Sequence, residues 1–305
     1  MDRVLITGGS GLVGSAMRSV FPDAIYVSSL DYNLMHEMDV IKMFSDTNPT
    51  HVIHLAGRVG GVLVNSLYPV EFYEENILMN THVLREAHNF KVKRLIGYMS
   101  TCVFPNNVEY PLMEHKVHLG EPHPSNFGYA YAKRMLDIQI RAYNSQYGYN
   151  WLNIIPTNVY GPNDNFNLES AHVLPALIHK CYIAKRTGTP LVVWGSGNAL
   201  REFIYSEDLA KLTKLALYEY YDSNSLMIST PQQISIRDVV SMITNIMEFT
   251  GDIVYDSSKP EGQDRKPSHI GNLMKFASSY QFTPIMLGLK TSIEWFVSNY
   301  NMCRR

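Results

Sequence analysis

The chain has 305 residues, 46% of them hydrophobic and 18% charged, with 26 Lys+Arg against 28 Asp+Glu. That balance is ordinary for a globular protein with one large domain or two unequal ones. A net charge of -2 gives no electrostatic case for a nucleic-acid or membrane partner. No apolar run approaches the roughly 18–20 residues of a membrane span. The three cysteines (Cys102, Cys181, Cys303) are widely spaced, and the 11 histidines form no metal-ligand set. A cytoplasmic, metal-free protein is expected.

The chain opens with Arg3-Val4-Leu5-Ile6-Thr7, a β-branched run ending in Gly8-Gly9-Ser10-Gly11-Leu12-Val13-Gly14. Apolar residues then recur at helical spacing through Ala16, Met17 and Val20. A strand, a tight glycine turn and a helix N-terminus offer a pyrophosphate free backbone N–H groups and a helix dipole. A glycine-rich turn with no ligand is the alternative, but its place at the start of a β/α alternation favours a nucleotide. A second strand over residues 24–27 ends at Ser28-Ser29. An acidic residue at that point takes the ribose 2′-hydroxyl of NAD. Two serines instead leave room for a 2′-phosphate and favour NADP, although Asp31 lies close.

Residues 39–44 read as a short helix closed by Asn48-Pro49. His51-Val52-Ile53-His54-Leu55-Ala56 follows as a third buried strand, with its run-out from Gly57 to Gly61 as a cofactor loop. His51 and His54 read as strand residues with satisfied hydrogen bonds rather than catalysts. Pro69 opens a long helix to about Asn89, with Phe72, Ile77, Val83 and Leu84 on its apolar side. Residues 94–99 form a fourth strand that delivers Ser100-Thr101-Cys102 to its carboxyl end, where ligands of open parallel sheets sit. Residues 104–127, with four prolines, read as a loop shaping a substrate pocket.

In Tyr129-Ala130-Tyr131-Ala132-Lys133 a helix puts Tyr129 and Lys133 one turn apart on one face. A phenol ionises near ~10, and a cation beside it favours phenolate. With the Ser100 hydroxyl holding a substrate oxygen, the three make a proton-donating site for carbonyl reduction. The helix runs to about Tyr147 and a strand over 151–155 follows. Strands alternating with helices predict an α/β fold, a Rossmann-type doubly wound parallel sheet.

Beyond Pro162 the pattern loosens into a helix near 173–185, strands near 191–194 and 226–229, a helix at 235–249, a strand at 252–256 and a terminal helix near 284–300. The expected division is a nucleotide-binding domain of residues 1–160 with about 190–225. A smaller, interleaved α/β substrate domain takes about 161–189 and 226–305.

The glycine turn, Ser100 and Tyr129-x-x-x-Lys133 together resemble the extended short-chain dehydrogenase/reductase family over the whole chain. Ser100-Thr101-Cys102-Val103-Phe104-Pro105, Pro156-Thr157-Asn158-Val159-Tyr160-Gly161-Pro162-Asn163-Asp164-Asn165-Phe166, His172-Val173-Leu174-Pro175, Val193-Trp194-Gly195 and Arg201-Glu202-Phe203 narrow the likeness. They are similar to the branch that converts a GDP-4-keto-6-deoxy-D-mannose by 3,5-epimerisation and 4-keto reduction with NADPH. The resemblance implies Tyr129 as proton donor, Lys133 as its cation, Ser100 orienting the keto oxygen, and Cys102 and His172 as the epimerising acid/base pair. It implies cofactor contacts at Gly8, Gly9, Ser10, Gly11, Leu12, Val13, Gly14, Ser28, Ser29, Leu55, Ala56, Gly57, Tyr98, Met99, Ser100, Tyr129, Lys133, Pro156, Thr157, Asn158, Val159 and His172. Lys180, Trp194, Arg201, Glu261 and Lys266 would contact the GDP-sugar, and the helices at 69–89 and 128–147 would form a homodimer. Three features depart from or exceed the family pattern: Leu34-Met35-His36, Glu261 where an aspartate is usual, and Arg58. The alternatives are another nucleotide-sugar enzyme of the family, such as a 4-epimerase that holds NAD permanently, or a non-catalytic NADP-binding regulatory protein.

Overall fold

A computed structural model describes residues 2–222, 224–259 and 264–305. The buried run β1 (Val4–Thr7) leads through the glycine turn into α1 (Leu12–Met17). Then come β2 (Ile25–Val27), α2 (Glu37–Thr47), β3 (His51–His54), a short α3 (Val62–Leu67), α4 (Pro69–Asn89) and β4 (Arg94–Tyr98). The proline-rich stretch that follows holds only short 3₁₀ turns before α5 (Phe127–Tyr147) and β5 (Leu152–Pro156). With β10 (below) the strands form one sheet in the order β10-β5-β4-β3-β1-β2, every pairing parallel. The order reverses between β1 and β3, and that switch point opens a crevice at the strands' carboxyl ends.

Residues alternate between the two faces of this sheet as the pleat requires. Leu5, Val52 and Leu95 pack with Val40, Met43, Val83, Leu84 and Leu136 of α2, α4 and α5. Ile6, Ile53 and Ile96 pack on the other face with Met17 of α1 and with Leu209, Leu212 and Ala216. On α4 the expected apolar side is modified: Ile77 is only half-buried, while Asn76 and Asn80 are 0% and 1% exposed. The short α3, between the Gly57–Gly61 run and the helix that opens at Pro69, was not expected.

The remaining elements are β6 (Asn158–Tyr160), α6 (Val173–Thr187), β7 (Leu191–Trp194), β8 (Leu200–Arg201), β9 (Phe203–Tyr205), α7 (Ser206–Glu219), β10 (Leu226–Ile228), β11 (Ile234–Ser235), α8 (Ile236–Ile246), β12 (Ile253–Asp256), α9 (Gly271–Phe276) and α10 (Ile285–Ser298). A separate core joins α6, α8 and α10 with β7 through Leu177, Ile178, Val193, Val240, Ile243, Ile293 and Phe296. The chain crosses between the two cores at points other than those expected. β7 pairs with β12 beside the second core, not with residues 1–160, and β10 pairs with β5 as an edge of the large sheet. β6, also unforeseen as a strand, pairs with β9.

Candidate active site

The glycine turn closes so tightly that side chains have no room. Gly8 has φ 70°, and a Cβ there would lie 2.8 Å from Ala56 N. Gly11 N–H donates to Gly8 O at 3.0 Å and Gly11 stands at the N-cap of α1. A Cβ on Gly14 would lie 2.3 Å from Gly8 O and 2.7 Å from Gly9 Cα. The cradle therefore fits a group, such as a pyrophosphate, that must approach bare backbone. Gly14→Ala should push α1 off the turn, lowering nucleotide affinity by tenfold or more together with the melting temperature. Fluorescence titration with NADPH checks it, and wild-type affinity would remove the turn from the site. At the end of β2, Ser28 is not open as expected: its N–H and hydroxyl both donate to Asp31 Oδ2 at 2.8 Å. Those bonds hold the Asp31 carboxyl below its usual range.

Beneath the cradle, His54 is fully buried between Thr7 and Asn80, as the satisfied strand histidine that was expected. Nε2–H donates to Asn80 Oδ1 at 3.0 Å, so Nδ1 accepts the Thr7 hydroxyl at 2.8 Å. Burial, and then Lys133, push its pKa down to about 3, with Asn80 opposing. The folded imidazole is neutral while the unfolded one titrates near 6.5. Stability contributed here is whole above that value and lost as pH falls towards 3, at up to about 1.4 kcal/mol per unit. His54→Asn should flatten the plot of melting temperature against pH in this window; the wild-type slope in the variant would show that other groups carry it.

Beside it, Lys133 is 3% exposed, and its Nζ would lie 3.2 Å from a Cβ on Gly57. Asn76 fixes that loop, a role its polar side chain concealed in the helical pattern. Its Oδ1 accepts Arg58 N–H at 3.2 Å and its Nδ2 donates to Arg58 O at 3.1 Å and Phe72 O at 2.7 Å. Arg58 itself pairs with Glu75 and lies 5.2 Å over the Phe72 ring, which meets Tyr129 edge-on at 6.3 Å. Burial lowers the Lys133 pKa to about 8. Its Nζ is 5.9 Å from the centre of the Tyr129 ring. The expected drift of Tyr129 towards phenolate does not occur: burial, and then Cys102, raise its pKa above the usual phenol range. Tyr129 is therefore a phenol at neutral pH, the state a proton donor needs.

Ser100 leaves β4 and caps a 3₁₀ turn, its Oγ accepting Cys102 N–H at 3.4 Å. Arg134, next to Lys133, holds the same turn by donating to Val103 O and Gly120 O, each at 2.7 Å. Strand end and helix thus meet, bringing Ser100, Cys102, Tyr129 and Lys133 to one corner of the switch point. Tyr98 and Met99 present only backbone there, since their side chains enter the cores, Tyr98 hydroxyl to Thr213. His172 stands at the N-cap of α6 with solvent on one side, and the protein packed around the rest of its ring holds its pKa below the ordinary value. Its loop meets the run after β3 through Gly61 N–H, which donates to Ser170 O at 3.1 Å. Thr157 and Asn158 are engaged with protein: Thr157 Oγ1 donates to Ser229 Oγ and Asn158 Nδ2 to Glu202 O.

Further out, Lys180 Nζ lies 4.6 Å over the half-exposed Trp194 ring and donates to Val192 O at 3.4 Å. Arg201 donates to Leu200 O at 2.8 Å. Lys266 donates to Thr101 O at 2.8 Å, which sets it near both Cys102 and Arg201. Glu261 lies outside the described residues. Among the described residues no cluster of His, Cys, Asp or Glu could hold a metal, and no helix is long and apolar enough to cross a membrane.

A nucleotide cradle facing a Ser/Tyr/Lys corner across one switch point is the arrangement of a nicotinamide-dependent enzyme. The chain belongs to the NAD dependent epimerase/dehydratase family, whose profile matches residues 4–226. It is 43% identical to the GDP-L-fucose synthase of Dictyostelium discoideum, covering 99% of this chain and 97% of that protein. It is 30% identical to the GDP-L-fucose synthase of Escherichia coli K12, covering 99% of each. The crystal structure of a GDP-L-fucose synthetase from Naegleria fowleri bound to NADP superposes with a TM-score of 0.94 at 39% identity, covering 100% of this chain and 95% of that one.

Proposed function

We propose that the chain converts GDP-4-keto-6-deoxy-D-mannose to GDP-L-fucose with NADPH, by epimerisation at carbons 3 and 5 and reduction at carbon 4 in one site. The observation that carries this reading is the presence of the Cys102 thiol beside the Tyr129 phenol at the strand-end Ser100. A ketone reductase or a 4-epimerase needs the phenol but not the thiol. The full-length likeness to proteins named for this activity supports it.

The 4-keto group acidifies the hydrogens on carbons 3 and 5. Cys102 and His172 act as base and acid there, exchanging protons on opposite faces of the sugar. Ser100 and Tyr129 hydroxyls donate to the keto oxygen and stabilise the enolate, then the alkoxide, that forms on it. Tyr129 gives its proton to that alkoxide, with Lys133 as the cation beside it. Bound NADPH supplies the hydride; the glycines at 8, 9, 11 and 14, the loop at 55–57 and residues 156–159 are the groups that would hold it. Lys180, Trp194 and Arg201, from the smaller unit, would contact the GDP moiety. Absorbance at the NADPH band with this sugar nucleotide, followed by product identification, tests the reading. No NADPH consumption, or a product unchanged at carbons 3 and 5, would refute it.

We also propose a cytoplasmic homodimer. Phe127, Tyr131, Met135 and Ile138 make an outward stripe on α5, and with Tyr73 on the adjoining α4 the first three line a shallow groove. A second copy packing α4 and α5 against their equivalents would cover it. Light scattering should give twice the chain mass for the unmodified protein and one chain mass for Ile138→Glu. A monomeric unmodified protein would exclude the dimer.

A further inference from the structure

Glu202 is 5% exposed between β8 and β9, and both carboxylate oxygens are bonded. Oε2 accepts the Ser229 hydroxyl at 2.8 Å, while Oε1 accepts Ser268 N–H at 2.9 Å and Gln233 Nε2 at 3.3 Å. Its own carbonyl accepts Asn158 Nδ2 at 2.8 Å. A carboxylate taken out of water is costly unless bonded in this way, so its partners are held firmly in place.

Ser268 belongs to a strap, residues 264–269, that crosses between the two cores. Leu200 N–H donates to Asp264 O at 2.7 Å and fixes one end. Ser268 N–H on Glu202 fixes the other, with Leu112 N–H to Pro267 O and His269 N–H to Leu112 O, each at 2.8 Å, on the strap's far edge. Lys266 lies midway between the two anchors, and its Nζ donates to Thr101 O, one residue before Cys102. Burial holds its pKa below the ordinary value; Cys102 acts against that and Arg201 adds to it, because the three groups crowd together. A long lysine side chain loses much rotamer freedom when it is held, so its ammonium stays at one point only if its root is fixed.

We propose that Glu202 is a positioning residue for carbon–hydrogen exchange: through the 264–269 strap it seats Lys266 against the Ser100–Cys102 turn. The proposal rests on the reading of Cys102 as an epimerisation base. Loss of the anchor leaves that end of the strap held only by Leu112, so the Lys266 ammonium shifts on Thr101 O and the turn that aims the thiol loosens.

The test measures deuterium uptake at sugar carbons 3 and 5 from heavy water, and NADPH affinity, in four variants. Glu202→Ala should lose between about tenfold and a hundredfold in uptake, while NADPH affinity moves less than about threefold. Glu202→Gln should recover most of the uptake, because an amide oxygen still accepts Ser268 N–H. Lys266→Met should match Glu202→Ala, and the double variant should be no worse than the poorer single one, the non-additivity expected of residues acting as one unit. If Glu202→Ala does not fold, Ser268→Pro removes the donor of the same bond and carries the same expectation. Unchanged uptake in Glu202→Ala or Ser268→Pro, additive losses in the double variant, or NADPH affinity falling in step with uptake would overturn the proposal. If the unmodified protein shows no uptake with this sugar nucleotide, it is the function reading that fails.

Discussion

Tyr129→Phe should cut hydride transfer by a factor on the order of 10² to 10⁴, the range for loss of a positioned general acid. The phenol is buried and protonated at neutral pH, so it holds the proton that a developing alkoxide needs. Phenylalanine keeps the ring edge-on to Phe72, so melting temperature should change little. Single-turnover NADPH absorbance reads the step directly. Some deuterium exchange should survive through Cys102 and His172, weakened by the loss of one donor to the enolate oxygen. Hydride transfer at more than a tenth of the wild-type rate would mean that another group supplies the proton.

Cys102→Ser should separate the two chemistries in the opposite direction. Serine preserves the turn, because Cys102 bonds to Ser100 through its backbone N–H. Its hydroxyl is too weak an acid to exchange protons with carbon near neutrality, whereas a thiol has a reference pKa near ~8.5. Deuterium uptake at carbons 3 and 5 should fall below detection, while slow hydride transfer to the unepimerised ketone remains. Mass spectrometry of the recovered sugar beside NADPH absorbance distinguishes the two. Uptake at the normal rate in Cys102→Ser would remove the thiol as base.

Much of the frame was legible because it is written in local rules. The helix from Pro69 to Asn89 and the strand Leu191–Trp194 fall where periodicity and a proline start placed them. The glycine turn was legible for a similar reason: a short β-branched run, bare backbone and a helix start must be consecutive to work. Strand partners were less accessible. The runs at Leu191–Trp194 and Leu226–Ile228 are both short and apolar, and nothing within either one says which sheet it joins.

The amino-acid sequence by itself determined the parallel α/β order, the nucleotide turn and the one-turn spacing of Tyr129 and Lys133. Each of these depends on residues within about one element of one another, where backbone sterics and side-chain period decide. Tertiary structure decided the rest. It made Asn76 and Asn80 interior residues within the apolar face of α4, turned Asp31 back onto Ser28, and tied Lys266 to the turn that carries Cys102. It also set the proton on Tyr129, where desolvation by the whole fold outweighs a lysine one turn away. Burial and long-range hydrogen bonds are properties of chain segments far apart in sequence, so no local pattern carries them.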